Sequence, residues 1–389
     1  MMTTIALPQV DGSLKKYQLS DADPVLAPEN PEFNRIAYAA AHVVVDPLRQ
    51  DCNWLQRPSI DWDATMAFRH HLWRQGFMIA EAMDTAQRGM GVDWPTAKEL
   101  IHRSLDEARS VEGADLAAGC GTDQLNVADA RSLDDVIAAY EEQMEAIESK
   151  GGRLILMASR ALAAVARNAD DYIRVYDRLL TQAQGKVILH WLGDVFDPAL
   201  KGYWGSENVA EAMDTVLRII ETHRDKVDGI KISLLSKEWE LVLRSRLPAG
   251  VRMYTGDDFN YSELIEGQDG VYSHALLGIF DAIAPVASAA LTKLTQGQTQ
   301  AYRDLLEPTV PLSREIFKAP TQYYKAGVVF LAWLNGHQEH FVMAGGMQSA
   351  REISHYARVF ELADQAGLLA DRALAAGRMQ SLLALHGIQ

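Results

Sequence analysis

Residues 228–235 read D-G-I-K-I-S-L-L, and the interpretation of the whole chain turns on them. The run has the length and the isoleucine content of a buried strand, with Asp228 and Gly229 marking its start. A lysine, Lys231, stands inside it. Successive side chains of a strand face opposite sides, so Lys231 points away from Ile230 and Ile232. If the isoleucines pack outward against helices, the ammonium points into the interior. An unpaired buried ammonium is costly, and burial drives it toward the neutral amine. A neutral amine is a nucleophile toward carbonyl groups and forms imines. The competing reading is an ion pair with a carboxylate such as Asp257 on the following strand.

Seven similar runs flank this one. They are "RIAYAAAHVVV" (35–45), "GFMIAEAM" (76–83), "ADLAAGCG" (114–121), "GRLILMAS" (152–159), "KVILHWLG" (186–193), "VRMYTGDD" (251–258) and "GVYSHALL" (270–277). The segments between them have helical period. In "SLDDVIAAYEEQMEAIESKG" the apolar Val136, Tyr140, Met144 and Ile147 recur every three or four residues. Ser132 is placed to cap that helix, with Gly151 beyond its end. Strands alternating with helices imply a parallel sheet, and eight units imply a closed (β/α)8 barrel, the TIM barrel. The sequence has no G-x-G-x-x-G turn, which argues against the open dinucleotide-binding alternative.

The chain divides accordingly into an N-terminal arm (1–34), a barrel (35–300) and a C-terminal helical extension (301–389). The arm carries Pro8, Pro24, Pro28 and Pro31 and suits packing on the barrel or at an oligomer contact.

The 389 residues are 48% hydrophobic, ample for a large core. A formal net charge of −15 argues against nucleic acid or an anionic membrane as partner. With two cysteines, Cys52 and Cys120, a disulfide framework is not expected, and a reducing cytoplasm fits. The N-terminus lacks the apolar run of a signal peptide, and no stretch reaches the roughly 18 apolar residues of a membrane span.

Several of these runs, taken in order, resemble the dihydrodipicolinate synthase and N-acetylneuraminate lyase family. "DGIKISLL" resembles that family's G-I-K strand, the sixth of its barrel, which carries an imine-forming lysine. "AAGCGTDQL" (117–125) is similar to its A-G-x-G strand three, and "YTGDD" (254–258) to its S-G-D-D strand seven. "GQDGVYSHALL" (267–277) is similar to its strand eight, and "QYYKAGVVFLAWLNG" (322–336) to its late helix. The resemblance covers roughly residues 35–340 and implies a class I aldolase or lyase acting on a keto acid or sugar-derived keto compound. It implies catalysis without an organic cofactor, in a homo-oligomer, dimer or tetramer.

The departures identify a divergent branch. The family's hydroxyl-rich G-T-T-G-E loop falls at "TAQRGMGVDWPT" (85–96), where Gly89 matches and Arg88 replaces a small hydroxyl residue. The strand-four tyrosine falls on "MASRALA" (157–163), which offers Ser159 and Arg160. His190 and Trp191 stand where strand five often has tyrosine and asparagine.

The candidate catalytic residues are therefore Lys231, His190 and Ser159. The candidate substrate contacts are Arg88, Gly119, Gly121, Thr122, Asp123, Arg160, Asp257, Asp258 and His274. His190 has the pKa range for general acid–base work, and a barrel strand's C-terminal end is where such sites lie. The arginines would suit an anionic group, and one of Asp257 and Asp258 is expected to hold a loop turn or cap the next helix instead. Trp191 and Trp204 suit either a sugar-stacking platform or the core. Two further readings remain. Glu81, His190 and an aspartate could hold a divalent ion, as in metal-dependent sugar isomerases, epimerases and lyases. The barrel could also be catalytically inactive.

Overall fold

The structure is a computed structural model and describes residues 4–49 and 58–388; Cys52 lies outside them. Eight parallel strands close a barrel. They are β3 (Ala37–Ala40), β4 (Met78–Glu81), β5 (Leu116–Cys120), β6 (Arg153–Leu156), β7 (Val187–Leu192), β8 (Val227–Ser233), β9 (Arg252–Thr255) and β10 (His274–Leu277). Each pairs with its sequence neighbour, and β10 closes on β3. The fold is thus the (β/α)8 barrel expected from the strand–helix alternation, with Lys231 on its sixth strand. The first run, whose "AYAAA" also suits a helix, is a fully buried strand.

Helices follow every strand and pack outside. The segment after β5 forms the helix Leu133–Glu148, where Ser132 and Asp135 complete a reciprocal capping box. Val136, Tyr140, Met144 and Ile147 are all buried on its inner face, as the spacing predicts. Inside the barrel a separate apolar cluster joins Tyr38, Ile155, Ile188, Tyr254 and Leu276 with the alanines 40, 80 and 117. Large side chains on some strands face small ones on others, which fills a narrow barrel without voids.

After β10 the chain is helical to its end. The helix Tyr324–Leu334 is buried at all eleven positions. It packs on the last barrel helix, Ile279–Thr295, and the segments leading into it lie across the C-terminal mouth of the barrel. At the other terminus, β1 (Thr4–Pro8) and β2 (Leu14–Gln18) form an antiparallel hairpin. This arm is fastened to the helix Ile353–Gln365. Tyr17 Oη and Ser20 N both donate to Asp364, at 2.7 and 2.8 Å, and Val25 N donates to the carbonyl of Gly367. Among the described residues no helix is long and apolar enough to cross a membrane.

Candidate active site

Strand β8 alternates as its sequence requires. Ile230 and Ile232 enter the core beneath the helices, and Gly229, Lys231 and Ser233 face inward. Two glycines create the room. A Cβ on Gly229 would lie 2.6 Å from the Tyr254 ring, and one on Gly256 would lie 2.7 Å from Lys231 Cε. The lysine stem therefore runs across the bare backbone of Gly256 to the C-terminal mouth.

Lys231 is 8% exposed and ends in a chamber of about 10 Å³, room for one water molecule. Apolar Ala40, Met83, Leu192, Phe196 and Phe317 form one part of its wall. The polar groups present are Asp84, Thr85, Ser233, Asp258 and Tyr324. Burial pushes the amine below its ordinary pKa, against the opposing pull of the Asp258 and Asp84 charges. Neither carboxylate is in ion-pair contact with it; they act on it through space. Burial pushes the Asp258 carboxyl up to about 7, although Ile279 N donates to it and Lys231 lies near. The site thus holds an amine whose proton is loosened by burial beside a carboxyl that burial makes hold its proton more tightly. Two groups whose environments bring their pKa values together are suited to exchanging protons.

Tyr324 was not legible as a site residue. Its hydroxyl is 2.8 Å from Thr85 Oγ1, and its ring stacks on Phe317 with centroids 4.3 Å apart. Gly278 allows the pair to sit there: a Cβ would be 3.1 Å from either ring. Burial, with Asp84 next, holds the phenol well above its ordinary pKa, so it stays a proton-bearing donor. Thr85 was equally unmarked, although it belongs to the loop read as having lost its hydroxyl groups. The only sequence signal for Tyr324 was its place in "QYYKAGVVFLAWLNG".

A larger cavity of about 430 Å³ opens beside the chamber over β5, β6 and β7. The two share Asp84 and Leu192 as walls. His190 faces this outer cavity, pairs in register with Lys231, and lies 3.3 Å from Ser233 Oγ through Nε2. Burial, with Lys231 next, drops its pKa well below the usual histidine range. His190 is therefore a neutral hydrogen-bonding group in the resting site rather than a ready acid. Ser159 caps the helix Arg160–Val165 and shares a 2.6 Å hydrogen bond with Thr122 Oγ1. Ser159, Thr122, Gly121, Asp123, Arg88 and Arg160 all line the outer cavity.

Several expected contacts are placed otherwise. Arg88 is buried and already committed: it pairs with Asp123 at 2.6 Å and donates to Gln143 and to the Gly119 carbonyl. A group with its donors satisfied by the protein is not free to seize a substrate anion. Arg160 is half exposed and pairs with Asp197 at 2.5 Å. Neither arginine lines the chamber at Lys231. Gly119 packs inside the barrel, where a Cβ would be 2.8 Å from Ala82 O and Met157 Sδ, so it serves close packing rather than substrate.

Asp257 caps the β9 turn, accepting from Phe259 N, Asn260 N and Asn260 Nδ2. It is the aspartate of the pair with the capping role, and it is not the partner of Lys231. His274 starts β10 at the opposite, N-terminal face, where Nδ1 accepts from Ile36 N and the ring lies against Tyr254. The reading of His274 as a substrate contact fails because the strand begins, rather than ends, with it. Trp191 and Trp204 are buried against each other and are core.

Glu81 is buried in a two-pronged ion pair with Arg69, at 2.8 and 3.0 Å. Among the described residues no three His, Cys, Asp or Glu side chains are placed to hold a metal ion. The donor set therefore does not fit the metal-dependent reading.

A family model described as "Protein of unknown function (DUF993)" matches residues 5–388, so the chain belongs to that family. No curated protein matches the sequence. Among solved structures the chain is similar to dihydrodipicolinate synthase from Thermotoga maritima, 12% identical with a TM-score of 0.63 over 87% of this chain and 100% of that one. It is similar also to dihydrodipicolinate synthase from Bacteroides thetaiotaomicron, 13% identical, TM-score 0.63, covering 85% and 98%. A third is the 4-hydroxy-tetrahydrodipicolinate synthase of Methylacidiphilum fumariolicum, 15% identical, TM-score 0.60, covering 90% and 97%. At these identities the likeness is one of fold.

Proposed function

As a member of that family with a lysine inside a barrel of this fold, the chain is one for which we propose a class I aldolase or lyase activity, with Lys231 as the imine-forming residue. One observation carries the reading: the Lys231 amine ends in a small chamber at the C-terminal mouth, largely desolvated and outside any ion pair, beside a carboxyl pushed up to about 7. A structural lysine would be expected in contact with its carboxylate.

The steps follow from these groups. The neutral amine attacks the substrate carbonyl carbon, and the oxygen takes up the amine proton to give a carbinolamine. Asp258 in its acid form protonates that hydroxyl, which leaves as water, and an iminium ion remains. The iminium withdraws the electron pair of the neighbouring C–C bond, which breaks. The hydroxyl on the departing carbon becomes a carbonyl as its proton passes to the Asp258 carboxylate. The electron pair rests in an enamine. Protonation of the enamine carbon, with Tyr324 as donor and Thr85 as its hydrogen-bond partner, regenerates an iminium that water hydrolyses, and the proton released in that hydrolysis returns to the Tyr324 oxygen. Asp84 faces the cationic intermediates and stabilises them. The reverse sequence forms the bond.

Borohydride added to the protein with a panel of keto acids and keto sugars should trap a covalent adduct at Lys231, located by peptide mass spectrometry. Lys231→Arg should abolish it, because a guanidinium forms no such imine. An adduct that persists in Lys231→Arg refutes the assignment.

A further inference from the structure

Resting on the imine chemistry just proposed, we infer that the substrate at Lys231 is a hydroxylated ketone or aldehyde with no carboxylate bonded to its carbonyl carbon. The argument is a map of charge. An imine fixes the carbonyl carbon at the lysine nitrogen, so whatever is bonded to that carbon must lie against the walls of this chamber or at its opening past Asp84 and Leu192. Apart from Lys231, the charge-bearing groups lining it are two acidic side chains, Asp84 and Asp258, and Asp258 becomes a carboxylate once it has given its proton to the departing hydroxyl. A 2-keto acid would place its own carboxylate among them, and like charges brought together out of water repel strongly.

The usual remedies are absent from this wall. Arg88 and Arg160 line the outer cavity and are paired there with Asp123 and Asp197. The other buried ammonium nearby, Lys325, is turned to the Gln322 carbonyl at 3.0 Å and the Met90 sulfur at 3.3 Å, and lines neither cavity. A helix N-terminus does reach the chamber at Gly278–Ile279, where an anion would be welcome. Asp258 already occupies it, accepting from Ile279 N at 2.9 Å.

Hydroxyl groups on the neighbouring carbons suit the same wall. They donate to Asp84 and Asp258 and exchange hydrogen bonds with Thr85, Ser233 and Tyr324. The outer cavity, beyond Leu192 and Asp84, extends the site for the remainder of a longer polyhydroxylated chain. Ser159, Thr122, Asn126 and Asp197 offer both donors and acceptors there.

Cyanoborohydride trapping with matched concentrations of dihydroxyacetone and pyruvate, read as intact-protein mass, separates the possibilities. Dihydroxyacetone should give about tenfold more Lys231 adduct than pyruvate, or better. In Asp84→Asn, which removes one of the two charges, the pyruvate yield should rise several-fold relative to dihydroxyacetone, with circular dichroism confirming the fold. Equal or better trapping of pyruvate by the natural protein overturns the inference and leaves the imine chemistry standing. An unchanged ratio in Asp84→Asn also overturns it, since charge would not be the cause of selectivity. No adduct from either compound refutes the imine reading, and this inference with it.

Discussion

The Tyr324 hydroxyl and Thr85 Oγ1 lie 2.8 Å apart, joining residues 239 positions distant in the chain across the mouth of the barrel. Thr85 belongs to the loop after the second barrel strand, and Tyr324 opens a helix beyond the last one. The C-terminal region therefore completes the chamber around Lys231, supplying Phe317 and Tyr324 to its wall.

Tyr324→Phe keeps the ring stacked on Phe317 and removes the hydroxyl alone. Stability should fall by about 1 kcal/mol, the worth of one hydrogen bond. Turnover of a trapped substrate should fall about 100-fold, on the scale of a lost general acid, while borohydride trapping of the first imine persists. Single-turnover kinetics beside urea denaturation checks both, and equal losses in trapping and turnover would mark the tyrosine as structural.

Gly256→Ala tests how the lysine is housed. The added methyl would press on Ser233 Oγ, on the Ile232 carbonyl at 2.7 Å and on Lys231 Cε at 2.7 Å. Backbone cannot yield as a side chain does, so the variant should lose about 1–3 kcal/mol. Imine trapping should drop as well, because the lysine stem is displaced. Denaturation midpoints and trapping rates measure the two effects.

Arg88→Met separates an organising arginine from a substrate-binding one. It leaves the buried Gln143 and the solvent-reached Asp123 without their arginine, at a cost of about 1–3 kcal/mol. If the protein remains folded at low temperature, trapping at Lys231 should continue at close to the natural rate. A folded variant with intact stability and lost trapping would return Arg88 to the substrate.

Glu240 makes stability fall with rising pH. It is buried and accepts from Ser273 Oγ and Thr255 Oγ1, at 2.7 and 2.8 Å. Burial pushes its pKa from 4.5 up to about 7 despite those bonds. Between these two values the folded protein holds a proton that the unfolded chain has released, so stability declines as pH rises through that window. Above it the loss is complete. Glu240→Gln should flatten this part of the profile and be the more stable protein at pH 8. The share due to Asp258, raised to about 7 in the same direction, should remain. Chemical denaturation across pH 4–9 measures the difference.

The sequence by itself determined the barrel, because local rules suffice for it. Eight apolar runs alternate with helical segments, and only a closed parallel sheet buries them all. It also determined that Lys231 faces inward, since a strand's period of two leaves no other side for it once Ile230 and Ile232 are buried. Caps such as Ser132 were legible for the same reason: donor and acceptor lie within three residues of each other. What surrounds the lysine was decided only by tertiary structure. Asp258, rather than the adjacent Asp257, faces the chamber because the β9 turn points the two carboxylates apart, one to its own loop and one to Ile279 N. His274 fell to the wrong face because a run's sequence does not say at which end its hydrogen bonding begins. Arg88 was matched to a substrate, whereas the fold brought Asp123 and Gln143 to it from two other segments. Tyr324 reached the site from beyond the barrel. No periodicity records such a meeting, because contacts between distant segments depend on how whole elements pack, and a side chain's residue type does not specify its partner.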